Sequence, residues 1–162
     1  MTANSIKANL QILVDADSCP VKAEILRVAQ EYNLKVVMVA SIAHYSVDQD
    51  TNWVYVDSSF QAVDMAIANR LNSGDIVVTQ DYGLAALVLA KEGQAISPRG
   101  MIYRPDEMLN LLEQRNALAR QRRGGFKTKG PSKLTAEDQQ NFVRNFRLLV
   151  TKGSSPQGKQ EN

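Results

Sequence analysis

At 162 residues, 44% hydrophobic and 22% charged, the chain has the make-up of one ordinary globular domain with a real core. No apolar run approaches the roughly 18 residues a membrane helix needs, and residues 1–11 lack the apolar centre of a secretion signal. A single cysteine, Cys19, and a single histidine, His44, exclude an internal disulfide and a zinc framework and fit a reducing, cytoplasmic setting.

In chain order, "LQILVD" (10–15) predicts a short buried strand and "VKAEILRVAQEY" (21–32) a helix, with Pro20 suited to its first turn. "LKVVMVAS" (34–41) and "NWVYVD" (52–57) predict two more strands. A helix is expected over 58–71, capped by Ser58 or Ser59. "GDIVVTQD" (74–81) predicts a fourth strand, residues 82–93 a helix stopped by Gly93, and "AISP" (95–98) a short fifth strand. Helices are expected over 104–121 and 134–151, the second capped by Thr135 with Asp138 in the capping-box position. Alternating strands and helices, with strands apolar throughout, predict a parallel sheet covered on both faces. The expected layout is a single domain over 1–152 and a disordered tail over 153–162, whose composition is polar and Gly/Ser-rich.

Three of these strands run into an acid: Asp15, Asp57 and Asp81. In an open parallel sheet, ligands bind beyond the carboxyl ends of the strands. Asp17 lies two residues beyond the first strand, and Asp64 about one turn into the helix after the third. Two carboxylates about 4 Å apart repel by on the order of 4 kcal/mol at an effective dielectric of 20, so such a cluster needs a cation. Oxygen ligands suit Mg²⁺ or Mn²⁺, which activate water and clamp phosphoryl oxygens. Each acid also has a plainer role. Asp17 or Ser18 can cap the helix at 21–32, Asp57 the helix after it, Asp64 can complement a helix dipole, and Asp81 can sit in a turn. Asp75 precedes its strand and reads as a turn at the opposite end of the sheet.

"VDADSCPVKAEI" (14–25), "AVDMAI" (62–67), "GDIVVTQDYGLAALVL" (74–89), "SPRG" (97–100) and "KGPSKLTAEDQQNFVRNF" (129–146) together resemble the bacterial YaiI/YqxD family, in order and over roughly residues 10–150. That family is grouped with the PIN-like, NYN-related nuclease-type domains. The resemblance implies a three-layer α/β/α sandwich with a central parallel sheet, plus C-terminal helices. It also implies a pocket at the carboxyl edge holding Mg or Mn through Asp15, Asp64 and Asp81, with Asp17 as an additional catalytic acid. The chain departs from many PIN nucleases in carrying no acid between Asp81 and Glu92.

The candidate substrate contacts are Ser18, Lys22, His44, Arg99, Arg122, Arg123 and Lys127. Ser18 and Lys22 lie by a helix start, where backbone N–H groups can hold phosphate. Arg99 can clamp phosphate or fix its own loop. His44 and Tyr45 lie in a loop at the same edge, where surface or packing roles are commoner. Cys19 lacks an evident base and reads as buried. Charge supports a polyanionic partner: residues 1–103 hold 7 Lys/Arg against 11 Asp/Glu, whereas residues 104–152 hold 11 against 5. Six Lys/Arg and no acid fall between Arg115 and Lys129, which suits a phosphate backbone or simply a solvated surface. The expectation is a metal-dependent phosphodiester hydrolase acting on RNA, or less readily on single-stranded DNA. The alternatives are a nucleic-acid-binding module without turnover and a small-nucleotide phosphatase. No membrane partner is expected, and the oligomeric state is left open.

Overall fold

The structure is a computed structural model that describes residues 10–44, 52–59, 61–125 and 132–152. Five strands form one parallel sheet: β1 (Gln11–Asp15), β2 (Lys35–Ser41), β3 (Asn52–Val56), β4 (Ile76–Val78) and β5 (Gln94–Ile96). Their order is β3-β2-β1-β4-β5, so the chain winds outward from β1 in one direction and then returns to continue in the other. The crevice between the ends of β1 and β4 is therefore the topological switch point, where neighbouring connections leave the sheet toward opposite faces.

Alternate residues of each strand supply the two faces. Ile12, Val14, Met38, Ile76, Val78 and Ile96 pack under α1 (Lys22–Glu31) and α5 (Ala136–Lys152). Leu13, Val37, Val39 and Val77 pack under α2 (Ala62–Arg70) and α3 (Tyr82–Ala90), with Met108 of α4 (Met108–Arg123) joining them. The result is the expected α/β/α sandwich with additional C-terminal helices. The inner strands β1, β2 and β4 are buried on both sides, which is why their sequences show no polar alternation, whereas the edge strand β3 is only half-buried.

α5 closes one layer. Phe142 and Phe146 are one helical turn apart, fully buried and stacked with centroids 5.1 Å apart. The helix start is the expected capping box: Asp138 N–H donates to Thr135 Oγ1 at 3.0 Å, and Thr135 N–H donates to Asp138 Oδ2 at 3.0 Å. α5 also runs against the backbone of Gly100, whose φ is +95°. A Cβ there would come within 2.7 Å of the Asn141 carbonyl carbon, so only glycine fits.

Several sequence expectations shift. The helix expected from residue 58 begins at Ala62, because Asp57 Oδ1 accepts hydrogen bonds from the Ser59 N–H and hydroxyl and closes a turn of its own. Ser58, Ser59 and Asp57 are therefore not its cap; Gln61 precedes it in the left-handed region at φ +66°. α1 starts at Lys22 after Val21 with no side-chain cap, so neither Asp17 nor Ser18 caps it, and Pro20 lies outside it. α3 ends at Ala90, and Glu92 rather than Gly93 takes the left-handed conformation. Gly93 is needed for space instead: a Cβ would meet Val88 Cγ1 at 2.8 Å. Asp75 closes the expected turn at the opposite end of the sheet, its N–H donating to the Asn72 carbonyl at 3.0 Å, and it is also buried. At 1% exposure, its carboxylate accepts hydrogen bonds from Gln11 N–H, Gln11 Nε2 and Asn72 N–H, tying the starts of β1 and β4 together. The expected tail over 153–162 lies outside the described residues.

Candidate active site

At the carboxyl edge of the switch point lies an open cleft of about 890 Å³. Asp15, Asp17, Asp57, Asp64 and Asp81 all line it. Each reaches the edge by a different route. Asp15 is the last residue of β1, and Asp17 sits on the single 3₁₀ turn that follows. Asp64 projects from the first turn of α2, and Asp81 is the N-cap of α3.

Their surroundings give the acids different chemistry. Thr79 is 1% exposed and stands between two of them. Its hydroxyl donates to Asp15 Oδ2 at 2.8 Å and accepts the Asp81 N–H at 2.9 Å. Burial pushes the Asp15 carboxyl above its ordinary pKa; the Thr79 bond opposes this, and the charges of Asp81 and Asp17 add to it. Asp17 accepts the Ser41 N–H with both oxygens, at 3.0 and 3.2 Å, which fixes the turn after β1 against the end of β2. Asp81 Oδ1 accepts the N–H groups of Gly83 and Leu84 at 2.8 and 3.2 Å. That is its plainer role as a helix cap, and it leaves the second oxygen for the cleft.

Asp64 is the most perturbed acid. A first-turn position favours the ionised form. Burial, then the charges of Asp81 and Asp15, then a hydrogen bond that only the protonated acid can donate to Asp81, outweigh this and push it up to about 6. One cation is already near: Arg115 of α4 approaches Asp81 Oδ1 at 3.7 Å and lines the cleft.

Among the described residues, no three Asp, Glu, His or Cys side chains converge on a point that could hold a metal ion. A cage of three direct carboxylates from Asp15, Asp64 and Asp81 is therefore not preformed. The donor set still fits Mg²⁺ or Mn²⁺, which take oxygen ligands, use one or two carboxylates and keep several waters. Asp64, hydrogen-bonded to Asp81, is the acid such an ion would displace a proton from, with Asp15 close enough for their charges to be felt.

The remaining candidates divide. Ser18 lines a neighbouring depression with Asp15, Asp81 and Arg115, and its carbonyl accepts from Gln80 Nε2 at 2.9 Å. Lys22 turns back, its ammonium donating to the Cys19 carbonyl at 2.9 Å, and it is not among the residues lining the cleft. Arg99 takes the structural alternative. Its guanidinium bonds Asp138 Oδ2 at 2.5 Å and the Ser132 carbonyl, clipping the loop after β5 to the start of α5. Arg122 and Arg123 are exposed in the last turn of α4. His44 ends a 3₁₀ turn after β2, with its side chain outside the described residues, and Tyr45 and Lys127 are likewise outside them. Cys19 is buried, and burial raises its thiol pKa, against a nucleophilic role. Thr79 and Arg115 contact the clustered acids and were not singled out by sequence reasoning. Thr79 looked like one more strand residue, and Arg115 was one cation among six.

The chain matches the family model described as "Uncharacterized BCR, YaiI/YqxD family" over residues 13–152. It is 47% identical over 133 residues to the UPF0178 protein lwe1471 of Listeria welshimeri, covering 82% of this chain and 89% of that one. It is 46% identical over 142 residues to the UPF0178 protein RBAM_023530 of Bacillus velezensis, covering 86% and 84%. A UPF0178 protein of Clostridium tetani is 45% identical over 143 residues, covering 88% of this chain and 98% of its own. No solved structure matches the chain. With the family model spanning the sheet, the acidic cleft and α5 alike, the chain belongs to the YaiI/YqxD family.

Proposed function

We propose that the acidic cleft is a Mg²⁺- or Mn²⁺-dependent nuclease site that hydrolyses phosphodiester bonds in RNA. One observation carries the reading: Asp15, Asp64 and Asp81, from three different elements, line one open cleft at the switch point, and burial together with neighbouring carboxylate charge raises the pKa of Asp15 and Asp64 there. A fold gains nothing in stability from such repulsion, so it is explained by a charge that arrives with the ligand. The PIN-like resemblance supports the same reading.

Asp64 and Asp81, with Asp15, would hold the ion, and its chemistry is to polarise a phosphoryl oxygen and lower the pKa of water. The chain's own groups do the rest. Thr79 fixes the rotamer of Asp15 and keeps one of its oxygens occupied. Asp81 stays anchored by the α3 N–H groups while its other oxygen faces the cleft. Arg115, already placed by Asp81, is the group that meets the substrate phosphate. The exposed Arg122 and Arg123 extend the positive surface along α4. The cleft is open, which suits a polymer better than an enclosed small substrate.

The missing three-ligand cage favours one second reading, a module that binds nucleic acid without turnover. A single-stranded RNA incubated with Mn²⁺ separates the two. The nuclease reading expects cleavage by the parent, lost in Asp15→Asn and Asp81→Asn with the fold intact. Binding without cleavage by the parent selects the second reading. Equal cleavage by parent and variants would refute the assignment of these acids.

A further inference from the structure

A second cavity, of about 460 Å³, lies beside the acidic cleft, within the roughly 300–1,000 Å³ range of small-ligand sites. Its walls are largely apolar: Pro20, Tyr82, Pro98, Met101 and Leu134, with Tyr103, which is only 3% exposed, contributing little open surface, so that Tyr82 is the ring available for stacking. Gln80, Ser97 and Arg99 add polar edges. The nuclease reading uses none of this cavity.

Two features tie it to the acids. First, Gln80 and Tyr82 line both this cavity and the depression that contains Asp15, Asp81 and Arg115, so the surfaces are continuous. Second, its aromatic wall is braced from the active edge. Tyr103 O–H donates to the Thr79 carbonyl at 3.0 Å, and the Thr79 hydroxyl holds Asp15. Tyr82 meets Tyr103 edge-on, with centroids 5.8 Å apart and planes at 70°. Tyr82 is thereby held in place, one residue after Asp81, between the cavity and the depression that contains Asp15, Asp81 and Arg115.

Resting on the nuclease reading, we infer that this cavity receives an unpaired base of a single-stranded nucleic acid, one nucleotide removed from the phosphate at the acids. A base offers the flat apolar faces and polar rim that the walls match, and aromatic stacking accepts any base. Charge agrees: Arg115 lines both the acidic cleft and the depression that leads to the cavity, where the backbone would cross. A duplex keeps its bases stacked and cannot fill the cavity, so the site selects single strands.

The test is equilibrium binding of a labelled single-stranded RNA hexamer with phosphorothioate linkages, in Mn²⁺, with one abasic site moved along it. One position is expected to weaken binding by about 5–150-fold, the range of one stacked base, while the others change it little. Met101→Trp fills the cavity at a residue that is 37% exposed. It should abolish that positional penalty while leaving Mn²⁺ binding as in the parent. Tight binding that tolerates an abasic site at every position would overturn the base pocket and leave the nuclease reading standing. Failure of every hexamer to bind would overturn both. A positional penalty that persists in Met101→Trp would place the stacked base elsewhere and refute this cavity.

Discussion

Thr79→Val is the sharpest test of how the site is built, because it changes one buried atom and almost no volume. The parent hydroxyl makes two bonds, one to a carboxylate and one from the Asp81 N–H. A hydrogen bond to a charged partner contributes about 1.5–3 kcal/mol, and stranding a half-buried N–H costs about 1 kcal/mol more. The expected loss is about 2–4 kcal/mol, which for a chain of this size lowers Tm by roughly 5–15 °C. Thr79→Ser keeps both bonds and should cost about 1 kcal/mol for the lost methyl. Mn²⁺ affinity should fall about 10–100-fold in the valine variant, as it does when an outer partner of a metal ligand is lost. Urea and thermal unfolding give the stability and calorimetry the affinity. A valine variant within about 0.5 kcal/mol of the parent would show that Thr79 does not organise the acids.

Asp64 makes stability depend on pH. Its folded pKa, near 6, is above the ordinary value, so the native state binds more protons than the unfolded state between about pH 4 and 6. Stability should therefore fall as pH rises through this window, with the cost fully present above pH 6 and gone below about pH 4. A two-unit shift corresponds to about 2.7 kcal/mol; solvent screening at a partly exposed carboxyl reduces this to about 1 kcal/mol. Metal-free Asp64→Asn should be more stable than the parent by that amount at pH 7.5 and equal to it at pH 4; a variant no more stable at pH 7.5 would contradict the crowding of these acids. Phe146→Ala should cost about 3–5 kcal/mol in urea unfolding with the m-value unchanged, since its ring is fully enclosed under the sheet. Gly100→Ala should destabilise by more than about 1 kcal/mol, because φ is positive there and the α5 backbone occupies the Cβ position; a neutral effect would mean that α5 can move away.

The sheet was legible because both of its faces are covered. Runs such as "ILV" and "IVV" allow no polar alternation, and an acid directly after an apolar strand marks the carboxyl edge. Asp15 and Asp81 were found that way. Asp64 was found although the start of its helix was misplaced. Ser58 and Ser59 have the right chemistry for a cap, but the Asp57 carboxylate took Ser59 first. Capping preference is local and cannot register that competition. Arg99 and Arg115 could not be told apart from sequence either. Each stands near the edge, and only the packing of α4 and α5 decides that Arg99 meets Asp138 while Arg115 meets Asp81. The bonding of Thr79 and the burial of Asp75 were not legible for one reason. Each flanks β4, and a long-range partner of each, Gln11 for Asp75 and Asp15 for Thr79, lies 64 positions away.

Calorimetric titration of Mn²⁺ into the parent and Asp81→Asn tests the acidic cleft most directly. Asparagine retains a side-chain oxygen for the Gly83 and Leu84 N–H groups, so the α3 cap survives and only the charge is lost. Saturable binding by the parent that disappears in the variant is the expected result. No binding by the parent, or equal binding by both, would contradict a metal site built on these carboxylates.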